Sequence, residues 1–176
     1  LKEIAVVILN YNGRNLLEKF LPSVTSFSPQ ADVVVVDNNS SDESIPFLKK
    51  EYPEIQIIKL DKNLGYAGGY NQGLSFLNYN YYVLLNSDVE VTPNWLTPFI
   101  EWRNTHQNFG CIQPKILDLN NKDQFEYAGA AGGFIDKDMF PLCRGRILNQ
   151  CEKDVGQYDT PTEVFWASGA ALFISK

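Results

Sequence analysis

The sequence predicts an α/β protein with a mostly parallel sheet flanked by helices, and three observations carry that expectation. Short continuous apolar runs, Ile4 to Leu9, Val33 to Val36 and Tyr82 to Leu85, have the composition of strands buried on both faces. Between them apolar residues recur at helical spacing, so strands and helices alternate. Each of these runs stops at a polar cluster, and the carboxyl ends of strands are where an open parallel sheet binds ligands.

Ile4 to Leu9 forms the first strand, and Asn10-Tyr11-Asn12-Gly13 ends it with turn chemistry. Leu16, Leu17, Phe20, Leu21 and Val24 mark the helix that follows. The second strand stops at Asp37-Asn38-Asn39-Ser40, and strand, helix, strand in this order implies a right-handed parallel crossover. Ser40 and Glu43 have the spacing of a capping box, ahead of a helix that contains Pro46. Ile55 to Leu60 predicts a third strand. A glycine-rich loop over 63–73 then leads into a helix marked by Ala67, Tyr70, Leu74 and Leu77. The fourth strand ends at Asn86-Ser87-Asp88, and Thr92-Pro93 predicts the next helix start, a cap followed by proline at the first position. Beyond Cys111, strands are expected over Ile112–Leu117 and Val164–Ile174, the latter interrupted at Ser168-Gly169. The long aperiodic stretch between them has the character of a functional loop.

A chain of 176 residues suffices for one domain with a real core, so 1–176 is read as a single domain. The formal net charge of -6, with no run of Lys or Arg, argues against nucleic acid as a partner, because phosphates need offsetting positive charge. No apolar run approaches the roughly 20 residues that span a bilayer, and no transmembrane segment is expected in this chain. Cys111, Cys143 and Cys151 are odd in number and widely spaced, which fits the reduced thiols of a cytoplasmic protein. His106 is the only histidine, which excludes a zinc site with several His ligands; it reads as a surface residue near a helix end. Neither Gly-x-Gly-x-x-Gly after the first strand nor a phosphate loop of the Gly-x-x-x-x-Gly-Lys-Ser/Thr type is present, so hydride transfer and ATP hydrolysis lose their main support.

The polar clusters at 10–12, 37–39 and 86–88, with Asn63-x-Gly65, would line one crevice at the binding edge of the sheet. Asn and Asp also serve turns, and Asn12-Gly13 and Ser40-Ser41 read first in that way. Asp37 and Asp88 follow buried strands and read as ligand-facing. Gly65, Gly68, Gly69 and Gly73 have two explanations: close packing of helix on sheet, or close approach of backbone to a ligand.

Four segments in this order resemble glycosyltransferase family 2, enzymes of the GT-A fold with a Rossmann-like, mostly parallel sheet. They are Val7-Ile8-Leu9-Asn10-Tyr11-Asn12, Val34-Val35-Val36-Asp37-Asn38-Asn39-Ser40-Ser41-Asp42, Asn63-Leu64-Gly65-Tyr66-Ala67-Gly68-Gly69-Tyr70-Asn71-Gln72-Gly73, and Leu84-Leu85-Asn86-Ser87-Asp88. The resemblance implies that Asn10 and Tyr11 sit beside a nucleobase and that Asp37 accepts a hydrogen bond from base or ribose. It places Asn12, Asn39, Asn63, Gly65, Asn71 and Asn86 around the same nucleotide. Asn86-Ser87-Asp88 stands where the family carries its Asp-x-Asp motif; with Asn in the first position, as in the rhamnosyltransferase-like branch, Asp88 is left as the metal ligand. A diphosphate beside a carboxylate would be repelled, so the pair implies a divalent cation, Mg²⁺ or Mn²⁺, whose hard charge accepts both kinds of oxygen.

The second half is similar to the same branch at Phe125-Glu126-Tyr127-Ala128-Gly129-Ala130-Ala131-Gly132-Gly133, Cys143-Arg144-Gly145-Arg146 and Trp166-Ala167-Ser168-Gly169-Ala170-Ala171. That likeness implies a donor-sugar or acceptor side at Trp166, Ser168 and Gly169. Residues 1–90 would then be the nucleotide-sugar-binding half and 91–176 the start of the acceptor half. In the family a general base follows the tryptophan segment, and it is expected beyond Lys176; with no Met at Leu1, the sequence reads as a fragment able to bind donor but with little or no transfer.

The implied activity is inverting, metal-assisted transfer of a sugar from a uridine- or thymidine-diphosphate donor to a saccharide or lipid-linked acceptor, in cell-surface polysaccharide synthesis. The implied location is the cytoplasm, including the inner membrane face. Two other readings stand beside it. A sugar-nucleotide nucleotidyltransferase would need a basic, glycine-rich loop after the first strand, which Asn10-Tyr11-Asn12-Gly13-Arg14 matches poorly. A non-catalytic nucleotide- or carbohydrate-binding module would suit the aromatic content, although Phe20, Phe99 and Phe173 read more simply as core.

Overall fold

A computed structural model describes residues 2–106 and 109–176. Among these the chain runs β1 (Ile4–Asn10), α1 (Arg14–Phe27), β2 (Ala31–Asp37), α2 (Ser44–Glu51), β3 (Gln56–Lys59), α3 (Gly65–Leu74), β4 (Tyr81–Asn86) and α4 (Thr97–Thr105). Short strands follow: β5 (Cys111–Ile112), β6 (Gly133–Ile135), β7 (Pro141–Cys143), β8 (Arg146–Ile147), β9 (Gln150–Cys151) and β10 (Ala171–Ser175). The chain forms two compact units, one of Leu1–Gly110 with Phe173–Lys176, the other of Cys111–Leu172.

In the first unit the sheet order is β3-β2-β1-β4, continued by β10. Strands β1, β2 and β3 are parallel, as are β1 and β4. The chain therefore builds outward from β1 to β3 and then returns to the other side of β1. That reversal makes the β1/β4 boundary the topological switch point, where the carboxyl ends of parallel strands leave a crevice. The register sets Asn10 opposite Asp37 and Leu9 opposite Asn86, so three strands deliver their polar ends at one level.

Burial explains the strands. Val6, Val7, Val34, Val35, Val36, Val83 and Leu85 are all fully buried, as the continuous apolar runs require of strands covered on both faces. Helix α1 covers the sheet with Leu17, Phe20, Leu21 and Val24, four of the five helically spaced residues read from the sequence, while the fifth, Leu16, is exposed. Around α4, Phe99 packs against Phe173 with ring centroids 4.5 Å apart and meets Tyr81 edge-on at 5.8 Å. Phe20, Phe99 and Phe173 are core residues.

Several boundaries differ from the sequence reading, each for a local reason. The segment over 63–73 is not a loop: α3 starts at Gly65, inside the glycine run. Packing overrides the low helix propensity of glycine there. A Cβ on Gly69 would come within 2.7 Å of Leu9, and one on Gly73 within 2.6 Å of Val36, so close helix–sheet contact accounts for both residues. The capping box at Ser40 and Glu43 does not form, because the Ser40 hydroxyl is engaged by Asn10 and Asn12. Asp42 takes over, accepting from the Ser44 amide at 3.0 Å at the start of α2 and from the Arg14 amide at 3.0 Å at the start of α1. Partial burial alone would raise the pKa of Asp42, but the hydrogen bonds from Ser44 and Arg14 outweigh it and hold the carboxyl below its usual value.

Thr92-Pro93 does not open α4. Asn94 has φ +62°, which breaks helical continuity, and the helix begins at Thr97 with Pro98 in its first turn. His106 caps that helix on the surface, its ring stacked on Trp102 at 3.7 Å.

The second unit holds its chain by short pairings. β6 and β7 form an antiparallel hairpin, as do β8 and β9. The strand expected over Ile112–Leu117 shrinks to β5, since Pro114 lacks an amide donor and Leu117 pairs only in an isolated bridge with Phe125. The one expected over Val164–Ile174 reduces to β10, with Trp166 in an isolated bridge to Gly133. Phe125 is the buried centre of this unit, lying against the backbone of Gly145, where φ is +99° and only glycine fits. Lys115 joins Asp154 at 2.6 Å and Asp159 at 2.5 Å and ties distant parts of the unit together.

Candidate functional site

The site is built from the ends of β1, β2 and β4 and the loops that leave them. At its centre are Asn10 and Asp37, adjacent in the sheet register and both without exposed surface. Asn10 Nδ2 donates to Asp37 Oδ2 at 3.1 Å and to the Ser40 hydroxyl at 3.1 Å, while the Ser40 amide donates to Asp37 Oδ1 at 2.9 Å. Among the described residues Asp37 has no ion-pair partner. A buried carboxylate held only by neutral donors costs free energy that packing does not return, unless a further group completes it.

Two loops are clasped beside this pair. The Asn12 amide donates to the Ser40 hydroxyl at 2.9 Å, and Asn12 Oδ1 accepts from the Ser41 amide at 2.8 Å. Asn12 and Asn39 have φ of +50° and +65°, a left-handed conformation that asparagine tolerates better than most residues. Asn12, Ser40 and Ser41 thus do the turn-making work that the sequence suggested for them.

The third loop is fixed by Asn38, buried next to Asp37. Its Nδ2 donates to Asn63 Oδ1 at 3.0 Å and to the Gly65 carbonyl at 3.1 Å, and its Oδ1 accepts from the Leu64 amide at 2.9 Å. Asn63 Oδ1 also accepts from the Gly65 amide, at 2.8 Å, so a side chain caps the start of α3. Gly65 has φ +69°. The sequence reading grouped Asn38 with its neighbours but gave it no role; its spacing one residue after a strand-end Asp was the available signal. Farther along α3, Tyr70 is buried beneath the site, its hydroxyl donating to the Leu85 carbonyl at 3.1 Å, and burial pushes its pKa well up.

Around these buried groups stands an exposed rim. Tyr11 is 53% exposed, and Asn12, Asn39, Asn63, Gly65 and Asn71 also reach the surface. At the end of β4, Asn86 and Ser87 are half-buried and Asp88 is exposed. Among the described residues no group of three or more His, Cys, Asp or Glu side chains could hold a metal alone. The donor set at 86–88 is one carboxylate with amide and hydroxyl oxygens. It fits a hard cation shared with a bound diphosphate, the usual mode of Mg²⁺, rather than an all-protein cage.

Trp166, Ser168 and Gly169 belong to the second unit. Trp166 Nε1 donates to the Phe134 carbonyl at 3.0 Å, and the Ser168 amide donates to Gln113 Oε1 at 2.5 Å. Gln113 in turn donates to the carbonyls of Gly129 at 2.9 Å and Ala130 at 3.2 Å, and Glu126 accepts from the amides of Ala128 and Gly129. Trp166 and Ser168 therefore lie in a hydrogen-bonded framework of their own unit, and with Gly169 they are half-buried. No helix among the described residues is long and apolar enough to cross a membrane.

Comparison with known proteins bears on this arrangement. A Haloferax volcanii protein, low-salt glycan biosynthesis hexosyltransferase Agl10, is 29% identical over 124 residues, covering 67% of this chain and 38% of that protein. The poly-beta-1,6-N-acetyl-D-glucosamine synthase of Staphylococcus epidermidis is 24% identical, covering 89% of this chain and 42% of that protein. The chain thus spans about two fifths of the length of these curated relatives. Among solved structures, the mannosyltransferase PcManGT from Pyrobaculum calidifontis, in complex with GDP-Man and Mn²⁺, has a TM-score of 0.58 at 19% identity, covering 65% of this chain and 35% of that one. TarS 1–349 of S. aureus in complex with UDP-GlcNAc has a TM-score of 0.59 at 21% identity, covering 68% of this chain and 36% of that one. These likenesses show the fold to be GT-A. A profile of the family described as Glycosyl transferase family 2 matches residues 5–154, and the chain belongs to glycosyltransferase family 2.

Proposed function

We propose that this chain is the donor-binding part of an enzyme that transfers a hexose from a nucleoside-diphosphate sugar to a saccharide or lipid-linked acceptor, with inversion. The observation that carries the proposal is the buried carboxylate of Asp37, without an ion-pair partner among the described residues, at the carboxyl end of β2, one strand from the switch point. An ionised carboxylate can only accept hydrogen bonds. It cannot pair with the bare ring nitrogen of cytosine or adenine, and so, where it meets that ring position, it favours a base with a ring N–H, that is uracil, thymine or guanine. The ligands of the two structural relatives, a uridine and a guanosine sugar nucleotide, support this reading.

Around Asp37, Tyr11 would offer its exposed ring to the base. Asn12, Asn39, Asn63, Gly65 and Asn71 would border the nucleotide from three loops held in place by Ser40, Ser41 and Asn38. Asn86 would orient the diphosphate, and Asp88 would hold a divalent cation, Mg²⁺ or Mn²⁺, against it; that cation, when bound, offsets the charge that grows on the departing diphosphate. The chemistry is displacement at the anomeric carbon. The acceptor oxygen forms the new bond, the bond to the β-phosphate oxygen breaks, and the acceptor proton passes to a general base. Trp166, Ser168 and Gly169 are assigned to the sugar or acceptor side, within one GT-A module over 1–176.

The test is calorimetric titration of the protein and of Asp37→Ala with uridine diphosphate and guanosine diphosphate in Mn²⁺. The wild type is expected to bind one of them, and Asp37→Ala to weaken that affinity by about tenfold or more, the worth of a hydrogen bond to a charged group. Equal affinity in the two proteins would remove Asp37 from the site.

A further inference from the structure

We infer that Asn10 is a positioning residue for Asp37, which sets base discrimination by holding the carboxylate rather than by touching the nucleotide. The inference rests on the assignment of Asp37 to the nucleobase. It differs from the expectation that Asn10 sits beside the base.

Asn10 and Asp37 are both without exposed surface, and what separates them is hydrogen-bonding capacity: each carboxylate oxygen accepts one bond and keeps a further lone pair, whereas both Nδ2 hydrogens of Asn10 are taken. The Asn10 amide is spent inward. Nδ2 serves Asp37 Oδ2 and the Ser40 hydroxyl, each at 3.1 Å, while the Ser40 amide holds the other carboxylate oxygen at 2.9 Å. The carboxylate decides which way the amide faces: turned over, Asn10 would present an oxygen to an acceptor-only group. In the observed orientation Oδ1 finds no hydrogen-bond partner among the described residues and faces Gly13, where a Cβ would approach it to 2.5 Å. Glycine at 13 is thus the residue that leaves room for the amide. Both Asn10 and Asp37 sit at the ends of central strands, where the backbone is fixed on both sides, so this pair is preorganised rather than carried on a mobile loop.

Removing the Asn10 donor leaves Asp37 with the Ser40 amide alone. The carboxylate can then swing about its side-chain bond, and the lone pair that meets a ring N–H is no longer directed. Under the proposed assignment, contacts to ribose, diphosphate and cation belong to other residues and are expected to be unaffected. The loss is therefore specific to bases that use Asp37.

The test is calorimetric titration of wild type, Asn10→Ala and the smaller polar Asn10→Ser with two pairs of nucleotides in Mn²⁺. Uridine is set against cytidine diphosphate, and guanosine against adenosine diphosphate; in each pair the first has a ring N–H where the second has a bare nitrogen. The comparison uses the pair that the wild type binds more tightly, and the variants that melt cooperatively. The inference predicts that the preferred nucleotide loses about tenfold in affinity while its partner changes less than about threefold, so discrimination falls. A purely structural role would weaken both nucleotides alike, and that result, or retained discrimination, would overturn the inference. A wild type that binds without telling the pair apart removes Asp37 from base recognition, and the inference with it.

Discussion

Gly73 of α3 lies directly against Val36 of β2: a Cβ at residue 73 would meet the two valine methyl carbons at 2.6 and 2.8 Å. Val36 is fully buried and β-branched, which restricts its choice of rotamer and its ability to give way. Gly73→Ala is therefore expected to destabilise the protein by about 1–3 kcal/mol despite alanine's better helix propensity. Urea unfolding checks this, and Val36→Ala in the same chain should recover part of the loss. A single variant as stable as the wild type would mean that α3 sits farther from the sheet than described.

Asp42 caps two helices at once, through the amides of Arg14 and Ser44. Asp42→Ala should cost about 1–2 kcal/mol, a cap's worth at each helix start less what water returns. The pH dependence has a definite sign. The folded-state pKa is lowered, so the stabilisation is complete above the unfolded value of about 3.9 and is lost as pH falls through the folded one. The variant should thus differ most from wild type near neutral pH and converge with it in acid. A gap that stays constant down to the acid transition would contradict the capping role.

Asp88 is exposed after β4, so its removal disturbs little else. Asp88→Ala should melt within about 0.5 kcal/mol of wild type, as surface substitutions do. It should also lose the part of nucleotide affinity that depends on Mn²⁺, measured by titration with and without chelator. Unchanged metal dependence would take Asp88 out of the site.

The parts of the fold that were legible are those where one physical demand dominates. β1, β2 and β4 are buried on both faces, and only a continuous apolar run satisfies that. α1 buries one face, and Leu17, Phe20, Leu21 and Val24 record it. The start of α3 was not legible because glycine speaks against a helix locally, and the reason for Gly69 and Gly73 lies in Leu9 and Val36, far off in sequence. The start of α4 was obscured by Thr92-Pro93, a good local signal overridden by the left-handed Asn94. The second unit rests on two- and three-residue pairings, too short to leave a period. At the site, strand ends were enough to bring out Asn10, Asp37 and Asp88. That Asn10 and Asp37 turn inward onto each other, while Asp88 stays exposed, depends on the pairing of β1 with β2 and could not be read locally.

The central claim, donor binding at the ends of β1, β2 and β4, is tested most directly by thermal melting with uridine, thymidine, guanosine and adenosine diphosphates, each with Mn²⁺ and with chelator. A ligand at about 100 times its dissociation constant adds roughly 2.7 kcal/mol of stability, a rise of several degrees for a domain of this size. The account predicts such a rise with one or more of the uridine, thymidine and guanosine nucleotides, lost with chelator, and none with adenosine. A cooperative melt that no nucleotide shifts, or one that adenosine shifts as far as the others, would contradict it.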